Sequence, residues 1–149
     1  LNIDRIGERI LQELHLDGRI TNAELAAKVG LSPSACLRRV QELERTGVIK
    51  GYRVSLDSEL VDRGFIVYVS IGLSTHTRSA QKEFEDAIAL SSEVSECHNV
   101  TGEFEYLLRI ETKDIKAYKA FHADTLGILP YVATITTHVV MDSPKDERS

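Results

Sequence analysis

Residues 21–47 read TNAELAAKVGLSPSACLRRVQELERTG, and the start and stop signals in that stretch predict two helices separated by a tight turn. Thr21 and Glu24 form a capping box, the hydroxyl accepting from one exposed backbone N–H while the carboxylate reaches back to another. A short helix follows, burying Leu25, Ala26 and Val29. Gly30 stands where a left-handed residue ends a helix, Leu31 plugs the core, and Ser32 caps the next helix with Pro33 in its first turn. Gly47 ends that second helix.

Upstream, Asp4 precedes Ile6, Ile10, Leu11 and Leu14, an apolar stripe at helical spacing that stops before Asp17-Gly18. Three helices with a glycine turn between the last two form a helix-turn-helix unit. Val48 to Val54 are expected to continue it as a strand. On a wheel of about 100° per residue, Cys36, Val40 and Leu43 share the buried side of the third helix. Ser34, Arg38, Gln41 and Arg45 fall on the opposite arc, flanked by Ala35 and Leu37. The plain alternative for this arc is a solvated helix face.

Charge separates the chain into two halves. Of 149 residues with a formal net charge of −5, residues 1–53 hold nine Lys/Arg against seven Asp/Glu, or +2, and the remainder nine against sixteen, or −7. Lys28, Arg38, Arg39, Arg45, Lys50 and Arg53 concentrate the basic charge, as a phosphate-facing surface requires. In this docking mode the start of the second motif helix enters the major groove, which assigns Ser32, Ser34, Ala35, Leu37, Arg38, Arg39 and Gln41 to the double-stranded DNA interface. Arg38 can donate twice to guanine, whereas Arg45, Lys50 and Arg53 lie further back, toward phosphates.

Beyond a turn-rich hinge the pattern changes. Phe65, Val67, Val69, Ile71 and Leu73 alternate as a strand; Ala80, Phe84, Ala87 and Ile88 recur at helical spacing. Residues 94–101 and 106–112 are two strands joined through Gly102. Ile115, Tyr118, Phe121, His122 and Thr125 mark a further helix face, and residues 132–141 supply a last strand. The fold class is therefore α+β: a winged helix-turn-helix (residues 1–53), a hinge (54–64), and a βαββαβ ferredoxin-like domain (65–149) with one sheet face open to a partner.

Two cysteines without a CxxC pair, and five scattered histidines, indicate neither a disulfide framework nor a metal site. The sequence has no basic-then-apolar leader and no run of about 18 apolar residues, so a cytoplasmic protein off the membrane is expected. No Gly-rich nucleotide loop or nucleophile elbow appears, so neither a cofactor nor catalytic residues are assigned.

Three segments taken together, DGRITNAELAAKVGLSPSACLRRVQELERTGVIKGYRVSLD (17–57), ECHNVTGEFEYLLRIETKDIKAY (96–118) and THVVMD (137–142), closely resemble the Lrp/AsnC (feast/famine) regulators. The resemblance covers nearly the whole chain. It implies a winged helix-turn-helix joined to a RAM-type amino-acid-sensing domain, assembled as dimers and often octamers. It also implies an effector cleft bounded by the loop between the second and third strands of that domain and by its last strand. Here these are Val100, Thr101, Gly102, Glu103, Glu105 and Tyr106, with Thr136 and His138. On spacing alone this loop reads as a plain β-turn with solvated glutamates; under the resemblance, Gly102 lets backbone N–H groups approach a carboxylate, while Glu103 or Glu105 can accept from an ammonium. Many relatives carry Asp in place of Glu105 and an aromatic in place of His138, which alters the pocket's depth and polarity. Two other functions stay open on the same architecture: a tetrapyrrole decarboxylase, and an amino-acid-binding module that no longer touches DNA.

Overall fold

The computed structural model describes residues 2–148, which form two compact units that divide between Val54 and Ser55. In the first, α1 (Arg5–Leu16), α2 (Asn22–Val29) and α3 (Pro33–Arg45) enclose a core of Ile10, Leu25, Ala26, Val29, Cys36 and Leu43. Each helix begins as the sequence dictates. Asp4, Thr21 and Ser32 accept hydrogen bonds from the amides of Gly7, Glu24 and Ala35, satisfying donors that have no partner inside the helix. Of the Thr21–Glu24 capping box only the hydroxyl arm forms among the described residues. Gly30 closes α2 at φ 74°, a left-handed conformation that favours glycine.

The expected strand over residues 48–54 does not form. The segment runs on from Gly47 without a ladder, because a strand needs a hydrogen-bonded neighbour and the first unit is otherwise helical. It leaves Tyr52 and Val54 exposed, and Leu56 just beyond it is exposed as well.

The second unit runs β1 (Phe65–Leu73), α4 (Arg78–Ala89), β2 (Val94–Asn99), β3 (Tyr106–Thr112), α5 (Ile115–Asp124), a 3₁₀ turn (Leu126–Ile128) and β4 (Val132–Val139). Its sheet is antiparallel throughout in the order β2-β3-β1-β4, with β1 and β3 central. Val67, Val69, Ile71, Leu108 and Ile110 pack under Phe84 and Ile88 of α4 and Tyr118 and Phe121 of α5. The outer strands stop two residues short of expectation, β2 at Asn99 before the Gly102 turn and β4 at Val139. Ile115, assigned to the buried face of α5, is 65% exposed at the first position of the helix, where Asp114 as N-cap fixes the start. No helix among the described residues is long and apolar enough to cross a membrane.

Candidate DNA-reading helix and effector site

The attitude of α3 is fixed from both sides of the turn. Asn22 at the start of α2 donates its side-chain amide to the Pro33 carbonyl at 2.8 Å, while Leu31 and Val40 pack against the core that holds Cys36. Burial raises the Cys36 thiol above its ordinary range, consistent with a small apolar filler. The opposite side of α3 carries Ser34, Leu37, Arg38 and Gln41 in solvent, with Ala35 half-buried at the flank.

The three arginines of α3 divide by what they touch. Arg39 is spent on the fold: its guanidinium reaches the Asp4 carboxylate at 2.6 Å, pinning α3 to the cap of α1 and, with the Gly7 amide, holding that carboxyl below its usual range. Arg39 therefore meets DNA only by exchanging this pair. Arg45 forms a two-point pair with Glu42 at 2.9 and 2.6 Å, fully in solvent, and such an exposed pair yields readily to a competing phosphate. Arg38 is exposed and has no hydrogen bond or ion pair among the described residues, so its five N–H donors are available. Lys50 and Arg53 are exposed on the segment after α3.

In the second unit the expected effector residues divide between the two faces of the sheet. Tyr118 of α5 hydrogen-bonds Thr137, which places the neighbouring Thr136 and His138 on the face away from the helices. Tyr106 lies on the other side. Its ring is 1% exposed and packs on Phe84 with centroids 4.6 Å apart, and its hydroxyl donates to Glu85 of α4. Burial, with the Glu85 carboxylate adding to it, holds the phenol far above its ordinary range. Tyr106 is therefore a core residue of the helix layer and not a lining residue of the open face; strand parity reverses between the loop and Tyr106.

Glu105 organises the loop. Its carbonyl accepts from the Val100 amide at 2.9 Å and the Asn99 side chain at 3.1 Å, closing residues 101–104 into a protruding turn. Its own amide donates to Ile71 O, and its carboxylate accepts from the Leu73 amide at 2.8 Å and meets His76 Nδ1 at 2.9 Å. Within the turn, Gly102 adopts φ 118°, and Glu103 is exposed without a partner among the described residues.

Sequence reasoning missed three members of this corner. A methyl at Gly72 would stand 2.3 Å from Thr134 Oγ1 and 3.8 Å from Glu105 Oε2, so the threonine hydroxyl and the carboxylate both lie over this glycine, with His76 beyond. The one signal available was Gly72 itself, which interrupts an otherwise unbroken strand. The open face also carries a charged cluster. Arg109 lies over the Tyr68 ring at 5.6 Å and donates to its hydroxyl at 2.7 Å, with Glu96 and Glu111 alongside. From the C-terminal tail Arg148 reaches Glu96, Asp146 and the Tyr68 hydroxyl.

A capped helix-turn-helix with an open basic face, followed by a βαββαβ unit with a structured loop at one sheet end, defines a DNA-binding regulator with a ligand-binding domain. The comparisons agree. Residues 3–50 match the model of a winged helix-turn-helix DNA-binding domain, and residues 66–149 that of the Lrp/AsnC ligand-binding domain. Leucine-responsive regulatory proteins of Klebsiella pneumoniae and Escherichia coli K12 are each 42% identical over 144 residues, covering 97% of this chain and 88% of theirs. Among solved structures, a Neisseria meningitidis transcriptional regulator in complex with L-methionine superposes with a TM-score of 0.93 at 33% identity, covering 97% of this chain and 94% of that one. An AsnC family regulator from Agrobacterium tumefaciens gives 0.90 at 34%, covering 96% and 93%. The chain belongs to the Lrp/AsnC family of transcriptional regulators.

Proposed function

We propose that the protein is a cytoplasmic regulator, without catalytic activity of its own, that reads DNA through α3 and responds to an amino acid bound at the β2–β3 loop. The observation that carries the DNA assignment is the division among the α3 arginines: Arg39 serves the fold, Arg45 is loosely paired, and Arg38 stands free on the exposed face beside Ser34 and Gln41. Ser32, Ser34, Ala35, Leu37, Arg38 and Gln41 approach bases, and Arg45, Lys50 and Arg53 approach phosphates.

The effector end consists of Val100, Thr101, Gly102, Glu103 and Glu105, with Thr136 and His138 on the open face and Gly72, Thr134 and His76 as neighbours of Glu105. Backbone amides around Gly102 receive the carboxylate, and Glu103 or Glu105 the ammonium. A leucine-responsive relative and a neighbour that holds L-methionine point to an effector with an apolar side chain.

The protein acts as a homodimer that assembles further to an octamer. Two surfaces support self-association: the open sheet face, and the extended segment with Tyr52, Val54 and Leu56 in solvent. The test is a duplex-binding titration over a range of salt, with and without each amino acid. DNA binding through phosphates gives a log–log slope of about −0.9 per contact. A flat salt response, or a response to no amino acid, removes the corresponding half of the proposal.

A further inference from the structure

Glu105 is held by two partners of unequal permanence. Oε2 accepts from the Leu73 amide, a backbone donor fixed at the end of β1. Oε1 faces His76 Nδ1 at 2.9 Å, and that imidazole is 70% exposed while the glutamate side chain is only 18% exposed. One oxygen is thus tied to the sheet. The other is covered by a side chain standing mostly in water, whose removal opens no void. His76 lies in the turn between Ser74, whose amide donates to Tyr131 O at 2.7 Å, and Thr77, the N-cap of α4, which accepts from the Ala80 amide at 3.2 Å. Both ends of the turn are anchored, and His76 occupies its free middle.

We propose that His76 is a place-holder at the effector site: it occupies the Glu105 oxygen that the effector's ammonium takes, and binding exchanges one partner for the other. The proposal rests on the effector site described above. An ammonium brings a full charge and three donors to Oε1, where the imidazole Nδ1 offers one. Oε2 stays on Leu73 throughout, so the carboxylate keeps its place while its partner changes. The released imidazole then frees residues 75–76, just before the cap of α4, which makes the exchange visible at the start of that helix. His76 is a competitor for the site, and its deletion has the opposite sign from the deletion of a supporting residue.

The full-length protein and His76→Ala are titrated calorimetrically with each L-amino acid, and the amide resonances of residues 100–106 are followed in parallel. Removing a competing contact from a mostly exposed side chain tightens effector binding about two- to five-fold. In wild-type protein the imidazole nitrogen signals of His76 shift on saturation, and Glu105→Gln moves the same signals without effector. A purely structural His76 would instead make His76→Ala bind more weakly. Weaker or equal binding, with the loop resonances still responding, overturns the exchange while leaving the effector site standing. If no amino acid moves the loop resonances in either protein, the effector site itself fails and the exchange falls with it.

Discussion

Replacing Arg38 with alanine separates base reading from general attraction to DNA. This side chain is exposed, lies outside the core and has no hydrogen bond or ion pair among the described residues, so the substitution leaves the three-helix core intact and moves the thermal midpoint by no more than about 3 °C. On DNA the effect is large. A guanidinium donating twice to a guanine contributes roughly 1–3 kcal/mol of discrimination, and the proposed dimer presents two copies of α3. The loss on a specific site is then roughly 2–6 kcal/mol, about 30-fold to about 20,000-fold in affinity. Fluorescence anisotropy with a selected operator and a scrambled duplex of equal length, at several salt concentrations, measures both quantities. The operator should weaken by at least the lower figure while the scrambled duplex changes far less. If Arg38 only neutralises phosphate, both duplexes weaken alike and the salt slope of each falls by about 1.8 for two lost contacts. That outcome would refute base reading by Arg38.

Three further expectations concern the scaffold. Phe84→Ala should destabilise the second unit by about 3–5 kcal/mol in urea unfolding, because the ring is 1% exposed and packs directly on Tyr106. The Cys97 thiol is pushed up to about 11 by burial and by the Glu85 carboxylate. Its alkylation at pH 8 should run about 20-fold slower than that of a free cysteine, rising with pH toward 11, as followed by mass spectrometry. Asp4 titrates below its unfolded value, so its contribution to stability is present above about pH 4 and lost as pH falls through its depressed folded value. Asp4→Asn should therefore lower stability at neutral pH and flatten the acid limb of a circular dichroism titration; an unchanged acid limb would separate Arg39 from the stability of the first unit.

The helix caps, the glycine turn and the strand alternation were legible because each follows from a local rule that the chain obeys within a few residues. Ser32 and Pro33 announce α3, and Val67, Val69 and Ile71 announce the core face of β1. What the sequence hid was set by distant partners. Residues 48–54 have the composition of a strand, but a strand exists only beside another. Ile115 has the spacing of the α5 core face, but the cap at Asp114 starts the helix there and leaves it outside. Tyr106 adjoins the loop in sequence, yet the parity of β3 turns it into the helix layer, where Phe84 and Glu85 await it. Arg39 lies about 100° from Arg38 on a helix wheel, off the exposed arc, but its partner is not legible there, because Asp4 approaches from 35 positions away. Gly72, Thr134 and His76 come together at Glu105 from three separate segments, a convergence that no spacing rule reports.

The Arg148 anchor bears on how the protein is handled and engineered. Because Arg148 grips Glu96 and Tyr68, the chain at this point is held against the open sheet face. A purification handle placed there would sit on the surface proposed to meet a second subunit and distort any measurement of assembly. The same geometry favours a biosensor: a fluorophore attached beside Arg148 reports directly on whether that face is covered.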